Sequence, residues 1–224
     1  MVFYRSMFNS VHIAQSDSLY PLMLRAYLND HAPATLTARG NFDILLDNSC
    51  APLVALFCSV QCSSAIILQT YELARALRDA GVTVISGFHS PMEKECLNVL
   101  LGGTQPVVIC PARSIERLRL PADWKAALQQ GRLLLLSPFA ENQRRATTGR
   151  AQIRNEFVAA LADAVLVAHA VPGGKTDRFC RGVLTWGKPL LALDNAENTD
   201  LWALGATPIQ PEALTPLHIP PGIS

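Results

Sequence analysis

The sequence predicts an α/β protein: a Rossmann-like, doubly wound, mostly parallel sheet of about six strands, with helices on both faces and a short N-terminal helical extension. Three observations predict it. From Leu53 to Leu193, short apolar runs alternate with amphipathic stretches. The runs are continuously apolar, as strands are when helices cover both sheet faces. The turn after each run is rich in glycine, hydroxyl or basic residues, where such a sheet places its ligand.

The elements follow in order. LVALFC (Leu53 to Cys58) reads as the first core strand, and Ser63 to Ala80 as a helix that Gly81 ends. VTVIS (Val82 to Ser86) is the second strand, and Glu93 to Leu101 a helix stopped by Gly102-Gly103. PVVIC (Pro106 to Cys110) is the third strand, with a helix from Pro121 to Gln130. LLLLS (Leu133 to Ser137) is the fourth, with a helix from Thr147 to Leu161. AVLVA (Ala164 to Ala168) is the fifth, with a helix from Lys175 to Trp186, and PLLAL (Pro189 to Leu193) is the sixth. Strict alternation of strand and helix implies right-handed βαβ units.

Residues 1–50 are expected to form an extension packed on the core. Ser18 to Asn29 carries Leu19, Leu22, Met23, Ala26 and Tyr27 at helical spacing, with Pro21 in its first turn, and Phe42 to Leu46 suits a short strand. Residues 51–210 form the Rossmann-like domain, and residues 211–224, with Pro216, Pro220 and Pro221, an irregular tail.

Composition bounds the function. The 224 residues are 50% hydrophobic and 17% charged, enough apolar material for a sizeable core and too much for global disorder. Net charge is +1, so any nucleic-acid site must be a local basic patch. The six cysteines (Cys50, Cys58, Cys62, Cys96, Cys110 and Cys180) show no CxxC pair and read as reduced thiols. No metal site or cofactor is expected. No apolar run reaches the roughly 20 residues of a membrane span and no leader pattern is visible, so a cytoplasmic protein without a membrane partner is the expectation.

Five turns can carry chemistry. After the first strand, Ser59, Ser63 and Ser64 either cap the helix or help its free amides hold an anion. GxGxxG is absent, which disfavours NAD or FAD. After the second, Ser86, Gly87, His89 and Ser90 form a tight turn, and Ser90 with Glu93 makes a capping-box pattern. After the third, Arg113 lies nearest the strand end among Arg113, Arg117 and Arg119, the best placed of them for phosphate. After the fourth, Arg144, Arg145, Arg150 and Arg154 cluster, with Asn155 beside Arg154. After the fifth, PGGKT (Pro172 to Thr176) opens a helix, so Gly173, Gly174, Lys175 and Thr176 suit phosphate. A Walker A loop would need glycine where His169 stands.

Several of these motifs resemble a known family. ISGF (Ile85 to Phe88), RNEFVAALAD (Arg154 to Asp163), GGKT (Gly173 to Thr176) and GKPLLAL (Gly187 to Leu193) are similar to the Ser-Gly turn, Arg-Asn-Arg helix, phosphate turn and closing strand of the DNA-processing protein family (DprA, also called Smf). That core belongs with lysine-decarboxylase-like nucleotide-binding folds. The family's first turn, Gly-x-Arg-x-x-Ser, is here Cys58 to Ser63, which keeps only the serine. Its Gly-Ile-Asp becomes Pro91, Met92 and Glu93, and the third member of Arg-Asn-Arg becomes Glu156. No stretch matches the winged-helix domain that many members carry.

The resemblance implies binding of single-stranded DNA or a phosphorylated nucleotide without turnover, a recombinase partner, natural transformation as the setting, and a homodimer. Two other readings stay open. A nucleoside-monophosphate phosphoribohydrolase would use PGG for phosphate and an arginine–glutamate pair for chemistry. A nucleotide sensor would relay a small phosphorylated signal to a partner.

Overall fold

The computed structural model describes residues 9–46 and 52–213. Cys50 and the proline-rich tail from residue 214 onward lie outside the described residues.

Among the described residues, nine strands form a single mostly parallel sheet. The six core strands expected from sequence are β3 (Leu53–Phe57), β4 (Thr83–Ser86), β5 (Val107–Ile109), β6 (Leu133–Ser137), β7 (Ala164–Val167) and β8 (Leu190–Leu193). Three more flank this core: β1 (Val11–Ala14) and β2 (Thr35–Gly40) beyond β6, and β9 (Thr207–Ile209) beyond β8. The spatial order is β1-β2-β6-β5-β4-β3-β7-β8-β9. The strands from β6 to β9 pair in parallel, whereas β2 joins β6, and β1 joins β2, antiparallel. Pro208 in β9 has no amide to donate, which an edge strand tolerates.

Alternation along each strand sends successive side chains to opposite faces. In β3, Ala55 and Phe57 enter one core with α1 (Leu22–Leu28), α5 (Thr148–Leu161) and α6 (Lys175–Thr185). Val54 and Leu56 enter the other, with α2 (Ser64–Asp79), α3 (Pro91–Leu101) and α4 (Ala122–Gln129). A short helix, α7 (Thr199–Ala203), follows β8.

The N-terminal region carries its helix, α1, and also gives the sheet two strands. Pro21 is the residue that caps α1, not part of its first turn. The stretch expected as a strand from Phe42 to Leu46 is a 3-10 turn over Phe42–Leu45, because the Asn41 side chain accepts from the Asp43 amide and starts a tight helical turn. Helix α3 begins at Pro91, two residues ahead of the Glu93 start expected from sequence, because Ser90 caps it and Glu93 returns the bond. No helix among the described residues is long and apolar enough to cross a membrane.

Candidate nucleic-acid interface

The strand order reverses direction between β3 and β7, whose following connections lead to opposite faces. A crevice opens at such a switch point, outside the carboxyl ends of the strands. Ser59 stitches its two sides. Its amide donates to the His169 carbonyl (2.9 Å). Its hydroxyl accepts from the Val171 amide (3.2 Å) and donates to the Thr176 hydroxyl (3.2 Å). Asn198, fully buried, donates to the carbonyls of Ala168 and Leu193 and meets the His169 ring, fixing the ends of β7 and β8.

The turn after β4 forms the next wall. Ser86 is fully buried; its hydroxyl donates to the Leu56 carbonyl (2.6 Å) and accepts from the Phe88 amide. Phe88 takes a positive φ of 46° to close the turn. Glu93 ties this turn to the one after β3. One carboxylate oxygen accepts from the Cys58 amide (3.1 Å), the other from the amides of His89 (2.8 Å) and Ser90 (3.3 Å).

Arg154 rises from α5 behind this turn and is only 4% exposed. Its guanidinium donates to the Cys110 carbonyl (3.2 Å) and to the Asn155 side chain (2.8 Å). Burial lowers its pKa, and the nearby Glu93 carboxylate opposes that shift. Arg154 therefore braces the loops after β4 and β5, with little surface left for a ligand.

The PGGKT corner begins α6. Gly173 adopts a φ of 69°, the left-handed region that suits glycine. Its amide donates to the Asp177 carboxylate (3.3 Å), and the Gly174 amide donates to the Val171 carbonyl (2.9 Å). Neither glycine amide is free for an anion, contrary to the sequence expectation. The next amides, of Lys175 and Thr176, have no intrahelical acceptor, and no side chain among the described residues caps them. Lys175 is exposed and forms no ion pair with a described residue.

These elements enclose a cleft of about 1120 Å³. His89, Ser90, Arg154, Asn155, Lys175 and Thr176 line it, and Ser59 bonds to its wall. The remaining expected residues fall elsewhere. Ser63 caps α2 through the Ile66 amide and bonds Glu197, while Ser64 is exposed as the first residue of that helix. Ser86 is consumed by its turn, and Gly87 lies beneath the Arg154 guanidinium. Arg113 lines a separate groove of about 440 Å³ with Arg117, Arg119 and Arg144. The arginine cluster after β6 is therefore dispersed. Arg144 pairs with Glu141, Arg150 donates to the Arg145 carbonyl, and Arg154 is buried.

Phe88 and Phe139 are buried in the structure and cannot meet a base. The aromatic surface of the cleft comes instead from Phe179 and Trp186, seven residues apart on and just beyond α6. Phe179 packs edge-on to Phe57 (4.7 Å between ring centroids), and Trp186 packs on Tyr27 (5.7 Å). That spacing of seven, two helical turns, was the sequence signal for them. Among the described residues no cluster of three or more metal-ligating side chains occurs.

Known structures share this architecture. DNA processing protein A from Streptococcus pneumoniae superposes with a TM-score of 0.73 at 20% identity, over 89% of this chain and 71% of that one. The Helicobacter pylori protein, whose structure was described for its single-stranded DNA binding mode, gives 0.72 at 18% identity, over 93% of this chain and 94% of that one. A molybdenum cofactor binding protein from Rippkaea orientalis gives 0.51 at 13% identity, over 74% and 93%. At these identities the likeness is one of fold. No curated protein sequence matches the chain. The sequence model of DNA recombination-mediator protein A matches residues 11–202, which takes in the sheet from β1 to β8 and every wall of the cleft. On that match the chain belongs to the DNA recombination-mediator protein A family.

Proposed function

We propose that the chain binds single-stranded DNA in the switch-point cleft, holding backbone phosphate at the start of α6 and making no covalent change to it. The observation that carries this reading is the meeting of Lys175, Thr176 and Asn155 on one cleft at the carboxyl rim of a parallel sheet. An uncapped helix start supplies amides and a positive dipole end, and Lys175 adds a full charge. Phe179 and Trp186 offer faces on which bases can stack.

At about 1120 Å³ the cleft has room for a nucleotide unit of a strand. The phosphoribohydrolase alternative loses support. Arg154 turns to the Cys110 carbonyl, and Glu156 bonds Gln152, so the arginine–glutamate pair does not form. Both oxygens of Glu93 are taken by backbone amides. A recombinase partner, a homodimer and a cytoplasmic role in natural transformation belong to this proposal and draw their support from family membership.

Titrating a fluorescent single-stranded oligonucleotide at low salt tests the reading. Saturable binding that weakens steeply with salt is expected, since bound phosphates release counterions. Release of adenine from AMP by the protein would instead establish the hydrolase reading.

A further inference from the structure

The first-turn residues that depart from the family pattern form a dithiol. The sulfurs of Cys58 and Cys62 lie 3.3 Å apart, within one turn and with no other side chain between them. A disulfide needs roughly 2.0 Å between sulfurs, so closing the pair asks for a contraction of little more than 1 Å in a loop. Its central residues, Val60 and Gln61, are exposed. Cys62 is half-buried and open to small oxidants, whereas Cys58 is buried on the cleft wall.

We propose that Cys58 and Cys62 are a thiol-modification site, closed by peroxide to an intramolecular disulfide that reshapes the wall of the ligand cleft. Cys62 is the sulfur that reacts first. The Cys58 thiol donates a hydrogen bond to it and lowers its pKa, with burial opposing. The other described thiols behave differently: burial pushes Cys96 and Cys180 up to about 12, and Cys110 up as well. The Cys62 thiolate attacks one oxygen of hydrogen peroxide; the O–O bond breaks, hydroxide leaves and a sulfenic acid forms. The Cys58 sulfur then attacks the sulfenic sulfur. The S–O bond breaks, and the departing hydroxyl takes the Cys58 proton and leaves as water. Two thiols and one peroxide thus give one disulfide and two waters.

The consequence for the cleft runs through Ser59. In the reduced turn, the Cys62 thiol donates to the Ser59 carbonyl (3.1 Å), and Ser59 bridges to Val171 and Thr176. A disulfide has no proton to donate, so that bond is lost, and Cys58 is drawn away from the cleft. The effect on binding rests on the nucleic-acid reading above; the sulfur chemistry does not.

The test uses the full chain. Reduced protein is treated with dilute hydrogen peroxide, alkylated with iodoacetamide, digested and analysed by mass spectrometry. The expected product is a peptide joining Cys58 to Cys62, unalkylated, lighter by two hydrogen atoms and restored by dithiothreitol. Full alkylation of both residues, linkage of either to Cys50 or Cys96, or a sulfinic acid at Cys62 beside a free Cys58 overturns the proposal. In the second arm, peroxide lowers oligonucleotide affinity several-fold in the wild type and leaves Cys62→Ser unchanged. A disulfide that forms without altering affinity overturns the link to the cleft. Absence of binding by the reduced protein counts against the nucleic-acid reading alone, and the mass spectrum still decides the dithiol.

Discussion

The Arg154 guanidinium occupies the space that a side chain at position 87 would need: a Cβ built on Gly87 falls 0.9 Å from Nη1. The Ser-Gly turn and the Arg-Asn helix are thus two halves of one contact. Glycine at 87 lets a buried arginine lie flat across the turn and reach the Cys110 carbonyl.

Gly87→Ala should therefore displace the Arg154 guanidinium and break its bonds to Cys110 and Asn155. The expected loss is about 3 kcal/mol, the order found when a buried charge loses its partners. Chemical denaturation measures it. A stability within experimental error of the wild type would show that Arg154 finds another seat.

Two serines of one turn should behave differently. Ser59→Ala leaves the Val171 amide without its acceptor, costs roughly 1–3 kcal/mol and weakens oligonucleotide binding by loosening the start of α6. Ser63→Ala removes the α2 cap and the bond to Glu197, costs about 1 kcal/mol and leaves binding intact. Equal effects of the two on affinity would contradict this assignment.

Trp186 lines the cleft, so single-stranded oligonucleotide should quench its fluorescence. Trp186→Phe should remove most of the quenching, leaving whatever signal Trp124 and Trp202 give. Quenching that persists unchanged in the variant would place the ligand elsewhere.

Lys188 makes stability depend on pH. The residue is 4% exposed, and its ammonium donates to the carbonyls of Ala160 (3.0 Å) and Ala162 and lies 4.1 Å from the centroid of the Tyr27 ring. Burial lowers its pKa from 10.5 to about 8, with Asp163 opposing. Below pH 8 the folded and unfolded chains both hold the proton. Between about 8 and 10.5 the unfolded chain holds one more, so stability rises with pH across that window, by on the order of 3 kcal/mol. Unfolding of wild type and Lys188→Met at pH 7 to 10.5 isolates the effect. The wild type should gain on the variant as pH rises, and a constant difference would mean that Lys188 titrates normally.

The parallel core was legible in the sequence because strands buried on both faces are unbroken apolar runs, as LLLLS and AVLVA show. The flanking strands were not. TLTARG in β2 is half polar, and TPI in β9 is short and holds a proline. Site residues were legible by type and turn but not by direction. Sequence places Ser86 and Arg154 at the rim with Lys175, yet both turn inward and spend their polar atoms on backbone carbonyls. Glu93 was visible as the partner of a capping box, but its reach to the Cys58 amide depends on how β3 and β4 sit side by side. No local pattern encodes that.

The most direct test of the cleft is the salt dependence of oligonucleotide binding by wild type and Lys175→Ala. Lys175 is exposed, so the variant should fold normally. It should bind roughly tenfold more weakly, and the slope of log K against log salt should fall by about one phosphate contact. Identical affinity and slope for the two proteins, or no saturable binding by the wild type at low salt, would contradict a phosphate site at the start of α6.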